Sequence, residues 1–137
     1  WGAIRADELA VMDRALQYLP VAYDDDMPRT MAAADVAVSR AGSSTCFELA
    51  AVGLPAVLVP SPFVTADHQT ANAGHLTSAG GAVLVRDDEL DGERLAAEVD
   101  ALLADPPKLA TMAQAMRRFA RPKAADQIAA MAEEHAR

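Results

Sequence analysis

The sequence predicts an α/β domain, a parallel sheet with helices on both faces. Three observations carry this. Short apolar runs (Asp35–Ser39, Ala56–Val59, Ala82–Val85) alternate with segments of helical periodicity. Ala56–Val59 is continuously apolar between two prolines, which fits a parallel strand covered on both faces. Glycines and prolines fall where helices would stop, as at Gly53 followed by Pro55.

Each element follows in order. Arg5–Leu19 spaces Leu9, Met12, Leu16 and Leu19 as one helical face, and Pro20 ends it. Val21-Ala22-Tyr23 is expected as a short strand before the acidic run Asp24–Asp26. Pro28 suits the first turn of a helix over Pro28–Ala34. Asp35–Ser39 is a buried strand, Arg40–Ser44 a turn, and Thr45–Val52 a helix stopped by Gly53. After the strand Ala56–Val59, Ser61–Ala66 is a loop and Asp67–Ala79 a helix, with Asp67 at its N-cap and Gly80-Gly81 beyond. Ala82–Val85 is the last strand. Helices follow over Asp91–Ala104, Lys108–Phe119 and Ala124–Ala136, and Asp105-Pro106-Pro107 caps and starts the second of them. Met12, Met112 and Met116 sit at helical spacing and are expected in the core. Pro122 divides a domain over 1–121 from a C-terminal helix over 122–137.

Composition narrows the function. The chain has 137 residues, one ordinary domain, with 12 Lys and Arg against 20 Asp and Glu, a net charge of −8. A binder of nucleic-acid backbone would carry the opposite sign. Alanine fills 32 positions, which favours closely packed helices. Cys46 is the single cysteine, so neither an internal disulfide nor a CxxC pair can form, and inside a helix it is expected as a small buried hydrophobe. Apolar runs fall far short of the roughly 20 residues a spanning helix needs. The chain opens on Trp1-Gly2-Ala3 rather than Met, the expectation being part of a longer polypeptide.

Ligands of open α/β sheets bind beyond the carboxyl ends of the strands. The expected junctions are Tyr23–Pro28, Ser39–Thr45 and Ser61–His68. At the middle one, Gly42-Ser43-Ser44-Thr45 lets a phosphate approach free backbone N–H groups at a helix start. Glu48, one turn further, could accept hydrogen bonds from the vicinal hydroxyls of a ribose. Equally, Thr45 and Glu48 match the T-x-x-E capping box, in which Glu48 only caps its own helix. Arg40 is a candidate to neutralise a phosphate, but spacing alone favours an ion pair with Asp24–Asp26. Gln69 and Asn72, three apart on one helical face, offer amides suited to sugar hydroxyls or simply a solvated face. His68 and His75 share a face, yet no carboxylate or cysteine completes a metal set, so no metal is expected. No P-loop, no GxGxxG and no GxSxG elbow is present.

The stretch from Arg40 to Ala56, RAGSSTCFELAAVGLPA, resembles the donor-binding segment of the MurG family of two-domain GT-B glycosyltransferases. Tyr23–Met27, Asp67–Ala73, Ala79–Ala82 and Leu103–Pro106 resemble further segments of that family in the same order. The resemblance implies a Rossmann-like fold, the C-terminal half of a GT-B enzyme. It implies an inverting transfer of GlcNAc from UDP-GlcNAc to undecaprenyl-pyrophosphoryl-muramyl-pentapeptide (lipid I), giving lipid II for the cell wall and so serving cell division and shape. Glu48 then matches the residue that binds the ribose hydroxyls. Gly42, Ser43, Ser44 and Thr45 match the turn against the diphosphate and sugar. Gln69 and Asn72 match residues on the GlcNAc hydroxyls, with His68 beside them. Tyr23 and Asp24 match the segment facing the uracil, Asp24 standing where many members carry an aliphatic residue. No cofactor, metal or nucleic acid is implied. The family's G-G-S-Q-G turn, in the first βα unit, has no counterpart here, nor has the N-terminal domain with the lipid I site, the membrane-facing patch and the general base. The resemblance therefore implies no catalytic residue in this chain, and a whole enzyme at the cytoplasmic face of the bacterial inner membrane. Two other readings stay open: a GT-B enzyme using a UDP-sugar on another acceptor, and a non-catalytic nucleotide-sugar-binding domain.

Overall fold

The computed structural model describes residues 19–64 and 67–136. The expected helix over Arg5–Leu19, with its Met12, lies outside them apart from Leu19. The described elements are α1 (Met27–Ala33), β1 (Ala37–Ser39), α2 (Ser43–Val52), β2 (Ala56–Leu58), α3 (His68–Ser78), β3 (Ala82–Leu84), α4 (Gly92–Leu103), α5 (Pro106–Phe119) and α6 (Ala124–His135). A 3-10 turn, Asp87–Glu89, follows β3.

The sheet has the order β1-β2-β3, all parallel, with Ala37 opposite Ala56 and Ala56 opposite Ala82. Each crossover is a helix, as parallel pairing requires. Side chains of β2 alternate between two cores, because successive residues of a strand face opposite ways. Ala56 and Leu58 pack with Leu49, Leu54, Leu76 and Met116. Val57 and Val59 pack with Val85, Leu102 and Met112. Helix α5 gives Met116 to one core and Met112 to the other, so it closes both. Both methionines are buried, as their spacing predicts, and so is Cys46.

One expected strand is not formed. Val21-Ala22-Tyr23 is irregular, with Val21 74% and Tyr23 82% exposed. A β-prone tripeptide becomes a strand only against a neighbour, and none lies beside it among the described residues. The acidic run after it closes α1 instead. Asp26 is the N-cap and accepts the Arg29 N–H, while Asp24 accepts the Asp26 N–H at 2.8 Å. The Thr30 hydroxyl, and then the Asp26 N–H, hold the Asp24 carboxyl below the ordinary 3.8.

The other caps follow the sequence closely. Asp91 accepts the Arg94 N–H at 2.7 Å and Asp105 the Lys108 N–H at 3.0 Å. Gly53 ends α2 with φ +80°. Its N–H donates to Ala50 O and that of Leu54 to Leu49 O, a Schellman closure sealed by contact of Leu54 with Leu49 in the core.

Two expectations can be checked in the complete polypeptide. Gly53→Ala should cost about 1–2 kcal/mol for the left-handed backbone. A Cβ there would also sit 2.6 Å from Arg117 Nε, so the thermal midpoint should fall further than that. Gly92→Ala, with nothing within 4 Å of the new Cβ, should leave it unchanged or higher. The second concerns pH. A depressed carboxyl contributes stability above its unfolded value of 3.8 and loses it as pH falls through the lower folded value. The Asp26 amide should therefore keep its hydrogen-bonded NMR shift as pH drops past 3.8 and lose it only below.

Candidate functional site

Parallel pairing brings the carboxyl ends of β1, β2 and β3 to one edge. The turn 40–42, the loop residues 59–64 and the turn 85–89 follow the three strands there. Gly42 is the N-cap of α2 and carries no side chain to occupy the first-turn amides. Those N–H groups and the positive end of the helix dipole are the kind of terminus that can receive an anion. Gly42 has φ −63°, an ordinary value, and a Cβ on it would meet only Thr45 Oγ1, at 4.0 Å. Nothing in the fold itself demands glycine here. Ser43 and Ser44 are exposed and Thr45 is half-buried.

The helix starts at Ser43, two residues before the expected Thr45. Thr45 is therefore inside the first turn and cannot be the N-cap, so the Thr45–Glu48 capping box is not formed. The extended backbone of Gly42 allows the earlier start. Glu48 is exposed and, among the described residues, makes no hydrogen bond or ion pair. It lines a pocket of about 190 Å³ between α1 and α2, with Met27, Pro28 and Met31 on the facing side.

Helix α3 brings two amides to the same edge. Gln69 Oε1 accepts the Ser61 N–H at 2.9 Å, which fixes the amide's orientation and turns its Nε2 to other partners. Asn72 Nδ2 donates to the carbonyl of the fully buried Ala41 at 3.1 Å. Gln69 thus ties α3 to the loop after β2, and Asn72 ties it to the turn before α2. His68 is exposed and begins α3. Asp67 holds the N-cap position, as expected, but at φ +50°. Its carboxylate accepts the Thr70 hydroxyl at 2.6 Å instead of capping an amide.

Arg40 departs from expectation. Its partner is Asp87, in the turn after β3, and not the Asp24–Asp26 run, in which the Asp24 and Asp26 carboxylates are used in closing α1. The same Nη1 donates to Val59 O at 3.3 Å and Pro60 O at 3.4 Å. Arg40 therefore touches the ends of all three strands. Asp87 is the site residue that sequence reasoning missed. Its one available signal was position, since it follows the strand Ala82–Val85 at the carboxyl end. It also lines a pocket of about 660 Å³, whose apolar floor includes Pro60, Phe63 and Leu84. Cys46 lies inside α2, and burial pushes its thiol up, away from nucleophilic chemistry. Among the described residues no group of three or more His, Cys, Asp or Glu could hold a metal, and no helix is long and apolar enough to cross a membrane.

Residues 5–128 match the glycosyltransferase family 28 C-terminal domain. A UDP-N-acetylglucosamine–N-acetylmuramyl-(pentapeptide) pyrophosphoryl-undecaprenol N-acetylglucosamine transferase from Alkalilimnicola ehrlichii is 45% identical over 137 residues, covering 91% of this chain and 38% of that protein. A protein of the same name from Salinibacter ruber is 52% identical over 109 residues, covering 80% and 29%. The crystal structure of Acinetobacter baumannii MurG superposes with a TM-score of 0.76 at 32% identity, covering 83% of this chain and 34% of that one. The chain thus spans about a third of the length of the relatives it matches. With sequence, domain model and fold in agreement, the chain belongs to the glycosyltransferase family 28 C-terminal domain family.

Proposed function

We propose that this chain is the donor-binding part of an inverting glycosyltransferase that moves GlcNAc from UDP-GlcNAc to lipid I in peptidoglycan synthesis. The observation that carries the reading is the uncapped start of α2 at Gly42, with an unengaged Glu48 in the same helix. The names of the relatives support the choice of donor and acceptor.

The chemistry follows from these groups. The amides of Ser43, Ser44 and Thr45 receive the diphosphate, and the space beside Gly42 lets it come close to the backbone. As the acceptor hydroxyl attacks the anomeric carbon, charge grows on the departing UDP, and fixed N–H dipoles stabilise it without reorganising. Glu48 accepts hydrogen bonds from the ribose hydroxyls and so fixes the nucleoside. Gln69 Nε2 and Asn72 Oδ1 meet the sugar hydroxyls, with His68 beside them. Asp24 is committed to Asp26 and Thr30, so Tyr23 or the backbone around it meets the base. The lipid acceptor, the general base and the membrane contact at the cytoplasmic face belong to an N-terminal domain.

The test is calorimetric titration of the complete polypeptide with UDP, UDP-GlcNAc and GDP-mannose. UDP and UDP-GlcNAc should bind and GDP-mannose should not. Glu48→Gln should weaken both uridine ligands by roughly tenfold or more, the value of hydrogen bonds to a charged group. Gly42→Ala should weaken them while leaving the thermal midpoint in place, because its Cβ meets nothing closer than Thr45. Asn72→Ala should lower both affinity and midpoint, since it leaves the buried Ala41 carbonyl without its donor at a cost of about 1–3 kcal/mol. Full affinity in Glu48→Gln would remove the ribose role.

A further inference from the structure

The proposed donor site stands on two loops that are not neighbours in sequence. The turn 40–42 leads to the diphosphate-facing amides. The loop after β2 is tied to Gln69 through Ser61. A nucleoside diphosphate alone needs only the first, together with Glu48 on the same helix. A nucleotide sugar needs both, because its sugar reaches from the turn to Gln69. The separation of the two loops is therefore a property that the sugar reads and the nucleotide does not.

One side chain spans that separation. Arg40, the residue before the fully buried Ala41, donates from Nη1 to Val59 O and Pro60 O at the root of the second loop. The same Nη1 is held by the Asp87 carboxylate. Asp87 is itself held by its neighbours. Arg86 forks onto Asp88 through Nε at 2.9 Å and Nη2 at 2.7 Å, bracketing Asp87 within the 3-10 turn. The chain of contacts runs from the third strand, through Asp87 and Arg40, to both donor-facing loops. Asp87 lies on neither loop.

We propose that Asp87 is a positioning residue that sets selectivity for the nucleotide sugar over the bare nucleotide, by holding Arg40 across the ends of β1 and β2. The proposal rests on the donor-site reading. Without the carboxylate, the guanidinium loses its anchor and exchanges the two carbonyls for water. The turn 40–42 then keeps the Asn72 bond to Ala41, the loop after β2 keeps the Gln69 bond to Ser61, and across their roots the ladder bond from the Val59 N–H to Ser39 O remains. Each loop stays locally intact while their spacing loosens.

The experiment compares wild type, Asp87→Asn and Asp87→Glu in the complete polypeptide, with the dissociation constants of UDP and UDP-GlcNAc measured side by side. Asp87→Asn keeps shape and removes charge, and Asp87 is part-exposed, so folding is not at stake; circular dichroism confirms it. The expected result is a loss of UDP-GlcNAc affinity of roughly 2- to 30-fold, the usual range for residues that act through others. UDP affinity should stay within about twofold, and Asp87→Glu should recover part of the loss. Because the Arg40 and Asp87 side chains are 52% and 28% exposed, raising the salt should also erode the wild-type preference and leave Asp87→Asn unaffected. Equal weakening of both ligands, or no change in either, overturns the positioning role. Failure of wild type to bind UDP at all overturns the donor-site reading, a different and separately visible outcome.

Discussion

The rest of the molecule depends on one constraint, the parallel, in-register pairing of three very short strands. Each contributes three residues, and β2 is buried throughout. Parallel pairing forces every connection through a helix and sends every strand toward the same edge. That edge then collects the turn before α2, the loop before α3 and the turn after β3. With so little ladder to hold it, the sheet is fixed mainly by its two cores, and α5 serves both through Met112 and Met116.

The polar groups at that edge work twice. Asn72 and Gln69 each spend one half of a side-chain amide on the protein's own backbone, at Ala41 and Ser61. In the proposed donor site the other half would meet the ligand. This division makes the two loops part of a single framework with α3, so a sugar that meets these amides meets groups already oriented. Preorganisation of that kind lowers the ordering that binding would otherwise require. Asp67 fits the same picture: its left-handed backbone lets the chain turn from the loop into α3 while its carboxylate holds Thr70.

Charge is distributed to match. The chain is acidic overall, yet the site edge offers helix amides, an arginine and neutral amides. Asp24 and Asp26 are engaged in closing α1, Asp87 with Arg40 and Asp67 with Thr70, while Glu48 stands unengaged in α2. An anionic ligand therefore meets local donors rather than the net charge of the molecule.

The elements whose signals are local are legible in the chain alone. Alternating apolar runs and helical periodicity, aspartate caps at Asp91 and Asp105, and the glycine stop at Gly53 follow from interactions within a few residues. The glycine-serine turn Gly42–Thr45 between strand and helix is a local pattern too. Tertiary structure decided the rest. Whether Val21–Tyr23 is a strand depends on a neighbour that the tripeptide cannot specify. Whether Glu48 caps its own helix depended on where α2 begins, two residues earlier than its threonine suggested. The partner of Arg40 lies 47 residues away, and only the strand order β1-β2-β3 brings it within reach. Pairings between strand ends are set by topology, and topology is a long-range outcome that no short pattern encodes.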